Sequence, residues 1–189
     1  MGLYKQERMF YTESKTRRRE AETMRGRQSA CCFTGHRPQS FPWKYNEADP
    51  RCVLLKFRLK RQIIQAVEQD GVIHFLTGMA LGVDTWAAEI VLSLRRRWSL
   101  TLEAVLPCKG QDARWPSESR ERYQSILEQC DKVTLLQDGY TPDCFDKRNR
   151  YMIDHSDLVI AVWDGSPSGT GNTVVYAKSK RKSVREITP

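Results

Sequence analysis

Three short stretches decide what this chain can fold into. They are Phe33-Thr34-Gly35-His36-Arg37-Pro38, Thr77-Gly78-Met79-Ala80-Leu81-Gly82-Val83-Asp84 and Gly165-Ser166-Pro167-Ser168-Gly169-Thr170-Gly171-Asn172-Thr173. Each follows an apolar run that reads as a buried strand. Glycine at a strand's carboxyl end lets the backbone turn close to a ligand, because it has no Cβ and tolerates positive φ. The amides that open a following helix can then hold an anion. Three such turns predict one shared pocket on the carboxyl edge of a parallel sheet, where open α/β sheets take their ligands.

The pattern between the turns agrees with that reading. Short apolar runs predict strands at 30–33, 72–76, 100–106, 132–136, 158–163 and 184–187. Apolar residues at helical spacing, such as Leu55, Leu59, Ile63, Ala66 and Val67, predict helices at 54–69, 83–97, 117–129, 143–156 and 173–179. Asp143 is expected to cap the fourth helix. Alternation of this kind gives a doubly wound parallel sheet, a Rossmann-like three-layer α/β/α sandwich in a single domain over 29–189. The loop from Pro38 to Asp49 carries Phe41, Trp43 and Tyr45. It reads either as a lid or stacking platform or as rings packed on the sheet edge.

Hydrophobic residues make up 40% of the 189, enough for a core of that size. No apolar stretch approaches the ~20 residues that cross a bilayer, and charge follows the start at once, so a cytoplasmic protein is expected without a membrane partner. None of the six cysteines forms a C-x-x-C pair, and no histidine completes a zinc set, so no metal is expected and free thiols are. The net charge is +8, and residues 1–28 hold eight Lys/Arg against four Asp/Glu. They read as a basic, flexible N-terminal extension, either a solvated, partly helical one or a non-specific contact for nucleic acid. The rest of the chain is only mildly basic.

In the first turn, Thr34 and Gly35 shape the bend. Arg37 can hold phosphate or carboxylate with two parallel bonds, and His36 can stack, donate or act as a base. In the second, Gly78, Met79 and Gly82 form the turn. Asp84 serves either the helix dipole or a sugar hydroxyl. Asp84 and Glu89 are the candidate catalytic acids, but their spacing of five keeps them off one helical face. The third turn, Ser168, Gly169, Thr170, Gly171, Asn172 and Thr173, is the expected phosphate cradle, with Asp164 before it to bind a hydroxyl or a metal-bound water. It lacks the lysine of a G-x-x-x-x-G-K-[ST] loop, so phosphate hydrolysis of that kind is not expected. Arg148 and Asn149 lie on a helix that can reach the pocket edge.

As an ordered set, these residues resemble the SLOG superfamily. Thr34-Gly35-His36-Arg37, the turn from Gly78 to Asp84 with Trp86 to Glu89, and Arg148-Asn149 with Met152, Ser156 and Asp157 are most similar to its YpsA/YoqJ-like branch. The resemblance covers Ala30 to the C-terminus. It implies a Rossmann-like fold that binds a nucleotide or nucleotide-derived ligand, ADP-ribose or NAD-like, in a sensing or regulatory role, with no certain cofactor. Two related groups imply alternatives. LOG phosphoribohydrolases cleave an N-glycosidic bond with a Pro-Gly-Gly-x-Gly-Thr-x-x-Glu turn and a helix arginine. Arg148 matches the arginine, while Thr173 stands where the acid belongs. The DNA-processing protein DprA shares the second turn and binds single-stranded DNA, a partner that the modest charge of the folded region leaves open but does not favour. A homo-oligomer also stays open.

Overall fold

Strand β1 (Ser29–Gly35) is central to the sheet, because it pairs in parallel on one side with the strand that follows it, at 72–77, and on the other with one far along the chain, at 158–162. The computed structural model describes residues 29–189. The expectation for the N-terminal extension lies outside these residues. After β1 come α1 (Pro50–Asp70), β2 (Val72–Thr77), α2 (Val83–Leu94), β3 (Thr101–Leu106), α3 (Ser117–Leu127), β4 (Lys132–Leu135), α4 (Cys144–Asp154), β5 (Leu158–Val162), α5 (Gly169–Ser179) and β6 (Ser183–Ile187). The strand order is β4-β3-β2-β1-β5-β6, all parallel. The order reverses between β1 and β5, and a crevice opens at the carboxyl ends of strands at such a point.

Alternation along the strands splits the core into two layers. Cys31, Phe33, Phe75, Leu102 and Ile160 face the helices α1, α2 and α3, whose Leu59, Trp86 and Ile126 pack on them. Cys32, Leu76, Val105 and Val159 face Met152 and Ile153 of α4 and Ala177 of α5. The result is the three-layer α/β/α sandwich. The most buried strands carry apolar side chains toward both layers, as parallel strands covered on two sides must.

Three local expectations need correction, and the two readings of the aromatic loop separate. Helix α1 starts at Pro50, not at 54. Asp49 accepts a hydrogen bond from the Arg51 amide at 2.9 Å and Pro50 occupies the first helical position, a strong start signal. Asp143 does not cap α4. Its carboxylate accepts from the Thr141 hydroxyl at 2.6 Å and pairs with Lys147 instead. Helix α5 starts at Gly169, because Ser168 caps it through the Gly171 amide at 3.1 Å. The glycine-threonine segment is therefore the first turn of a helix and not a loop. Finally, Phe41 and Trp43 are buried and stacked on each other at 4.8 Å, and Phe41 packs on Trp86. Of the two readings of that loop, packing holds for these two rings, though they join the core beside α2 and not a sheet edge, and of the three rings Tyr45 alone stays exposed.

Candidate functional site

The three turns meet. One cavity of about 260 Å³ is lined by Arg37 after β1, Ala80 and Asp84 after β2, and Ser168, Gly169 and Thr170 after β5. Thr34, Gly35 and His36 form its floor and side, and Phe145, Arg148 and Asn149 come in from α4. Positions 145, 148 and 149 share one face of α4 because they are three and four apart.

Arg148 is the unusual residue. Only 4% of it is exposed, yet its one ion pair among the described residues is to Asp84, at a long 3.4 Å. Its Nε is buried without a hydrogen-bond partner among the described residues. A cation held out of water normally has its donors satisfied. Burial pushes Arg148 down from the ordinary arginine value, and Asp84 opposes the shift. Burial likewise pushes the Asp84 carboxyl up, against Arg148, the Ala80 amide, Arg37 and the Gly78 amide. Arg37 adds a second guanidinium, whose carbon lies 5.3 Å from the Phe145 ring centre, with that of Arg148 at 6.0 Å.

The second turn is built to admit Arg148. A Cβ on Gly78 would stand 1.4 Å from Arg148 Nη1, so only glycine leaves the guanidinium its place. Gly82 has φ +92° and closes against Pro38, which excludes a side chain there as well. Met79 adopts φ +54°, unusual for a residue with a Cβ, and is wholly buried. Three of the bonds that hold the turn in this shape involve Asp84 and Thr85. The Thr77 hydroxyl donates to the Asp84 carbonyl at 3.0 Å, that of Thr85 donates to the Ala80 carbonyl at 2.9 Å, and the Asp84 carboxylate accepts from the Ala80 amide at 3.3 Å.

At the third turn, Ser168 takes the Gly171 amide, while the amides of Gly169 and Thr170 have no partner within the helix. The Thr173 hydroxyl donates to the Gly169 carbonyl at 2.8 Å and accepts from Asn149 at 3.0 Å, tying α5 to α4 beside the cavity. Asp164 stands one step aside. Its carboxylate accepts from His36 Nε2 at 3.0 Å and from the Ser166 hydroxyl and amide. The bonds from Ser166, then His36, hold that carboxyl well below the usual range.

Thr34, Gly35, His36, Arg37, Asp84, Arg148, Ser168, Gly169 and Thr170 of the expected set thus share the cavity wall. Gly78, Met79, Gly82, Gly171, Asn172 and Thr173 do not line it; Gly78 and Gly82 make room in the second turn, and Thr173 braces the helix. Glu89 is not brought to the cavity. Arg122 of α3 grips its carboxylate with two bonds of 2.6 Å on the outer side of α2. Sequence reasoning missed Phe145, whose spacing from Arg148 was the available signal, and Gln39 and Ser40, for which there was none.

A parallel α/β sheet with an arginine-lined cavity at its point of reversal defines a class of Rossmann-like proteins. Comparison with known proteins narrows it. The sequence profile of the YspA SLOG family (YpsA) matches residues 31–188, and the chain belongs to that family. The SPbeta prophage-derived protein YoqJ of Bacillus subtilis (strain 168) is 32% identical over 143 residues, 69% of this chain and 84% of its own. A UPF0398 protein of Bacillus cereus is 30% identical over 154 residues, 80% of this chain and 83% of its own. Among solved structures, DprA of Streptococcus pneumoniae superposes with a TM-score of 0.59 at 18% identity, over 86% of this chain and 51% of that one. The DprA of Helicobacter pylori gives the same TM-score and identity over 88% and 68%. This chain therefore spans about half of the Streptococcus protein, and the likeness to both is one of fold. No described helix is long and apolar enough to cross a membrane.

Proposed function

We propose that this chain is a cytoplasmic protein that binds a small phosphate-bearing ligand of the nucleotide class, in a sensing or regulatory role. The observation that carries the reading is Arg148, a buried guanidinium with an unpartnered Nε at the wall of a cavity. A phosphoryl group there meets Arg148 and Arg37 from one side and the Gly169 and Thr170 amides, at the start of α5, from the other. Charged bonds of this kind are short and strong, and the start of a helix favours negative charge. Asp84 accepts a sugar hydroxyl without leaving its place.

Binding is favoured over glycosidic cleavage by the single carboxylate among the described lining residues. Asp84 is already engaged by Arg148 and the Ala80 amide, and Thr173 spends its hydroxyl on Gly169. Calorimetry with AMP, ADP-ribose and NAD tests the proposal. At least one should bind below millimolar concentration, and Arg37→Ala should weaken it at least tenfold. No heat at millimolar ligand, or an unchanged affinity in Arg37→Ala, would contradict it.

A second reading comes from the fold neighbour in Helicobacter pylori, whose structure concerns a single-stranded DNA binding mode. Single-strand binding by this fold predicts salt-dependent retention on an oligonucleotide column that survives removal of residues 1–28. Retention that disappears with those residues belongs to their charge alone.

A further inference from the structure

The cavity that holds Arg148 is too small for the ligand class proposed for it. At about 260 Å³ it falls below the roughly 300–1,000 Å³ of sites that enclose whole small molecules. It suits a phosphate and a sugar. A second cavity of about 420 Å³ lies against it, and the two share His36 and Ser40 as wall residues. Asp164, which fixes the His36 ring, lines the second cavity and not the first.

The second cavity has a different chemistry. Phe41, Trp43, Leu54 and Leu55 line it, with Arg51 and Arg58 at its sides. Phe41 and Trp43 lie parallel and stacked face to face, with 6° between their planes and 4.8 Å between their centres, and the Arg51 guanidinium carbon stands 5.6 Å from the Trp43 ring centre. The aliphatic walls of Leu54 and Leu55 and the guanidinium planes of Arg51 and Arg58 accept a planar heteroaromatic ring, by burial of its apolar faces and by stacking on a guanidinium, while Phe41 and Trp43, already stacked on each other, form a rigid apolar wall.

We propose that the site is bipartite: the phosphate and sugar occupy the Arg148 cavity, and the base passes over His36 and Ser40 into the Phe41–Trp43–Leu54 cavity. The inference rests on the nucleotide reading above and adds where the base goes. It also gives His36 a task, since its ring, held by Asp164, forms the threshold between phosphate and base.

The test compares AMP with ribose 5-phosphate, which lacks the base, on two variants of one residue. Leu54 is 49% exposed on α1, so its replacement leaves the core intact. Leu54→Trp fills the second cavity and Leu54→Ala enlarges it. Wild type should bind AMP at least tenfold tighter than ribose 5-phosphate. Leu54→Trp should abolish that advantage without changing ribose 5-phosphate affinity, and Leu54→Ala should retain it. Equal affinity of wild type for the two ligands, or an undiminished AMP advantage in Leu54→Trp, overturns the bipartite site while leaving phosphate binding in place. Binding of neither ligand by wild type overturns both.

Discussion

Arg148 and Gly78 depend on each other. Adding a methyl at position 78 puts a carbon where a guanidinium nitrogen stands, so Gly78→Ala must displace Arg148 from beside Asp84. We expect a stability loss of roughly 3 kcal/mol by urea unfolding, because breaking a buried ion pair strands a charge. Arg148→Met should cost about 3–5 kcal/mol by the same measurement, and adding Asp84→Leu should recover part of it, since the stranded carboxylate is then gone. The glycines, Arg37, Asp84 and Arg148 were legible in the sequence, because glycine after an apolar strand and a helix-borne arginine mark such turns. The dependence between Gly78 and Arg148 was not. It spans seventy positions, and nothing local at either residue reports it.

At the scale of elements, the long loop before α1 is tied down by one carboxylate. Glu47 accepts from Trp86 Nε1 of α2 at 2.8 Å and from Arg122 Nη1 of α3 at 2.7 Å, and pairs with Lys56 of α1. Burial alone would raise its carboxyl, but the bonds from Arg122, Lys56 and Trp86 outweigh burial and hold it at about 2, below its ordinary 4.5. A depressed carboxyl stabilises the fold above its unfolded value and loses that contribution as pH falls toward the folded one. Unfolding experiments should therefore show stability falling between pH 4.5 and pH 2, by about 1–2 kcal/mol after solvent screening, and Glu47→Gln should flatten that part of the curve. Ser168→Ala should cost α5 about 1 kcal/mol in thermal or urea unfolding, by removing its cap. The order and type of the six strands and five α-helices among the described residues could be read from the sequence, while the short 3-10 turn Pro38–Ser40 could not. Helix starts were less legible: the Asp49-Pro50 signal lay ahead of the apolar stripe, and Gly169 to Asn172 looked too flexible to begin a helix.

Across the whole molecule, two layers of core seal the sheet and its thiols. The six cysteines are unpaired, and all but Cys130 are buried; burial pushes Cys32 up to about 12 and Cys130 up to about 11. Native protein should react with less than one equivalent of a thiol reagent at pH 8 within minutes, and with six equivalents in denaturant. The meeting of the three turns at one crevice was legible from their common place at the carboxyl ends of parallel strands, whereas the strand order that sets β5 beside β1 was not. Nor was the second cavity, because it depends on how the aromatic loop folds back over α1. The most direct measurement is a crystal structure of the protein soaked with AMP. The account predicts phosphoryl oxygens within about 3 Å of the Arg148 guanidinium and of the Gly169 or Thr170 amide. A nucleotide bound elsewhere, or a crevice left empty at saturating ligand, would contradict it.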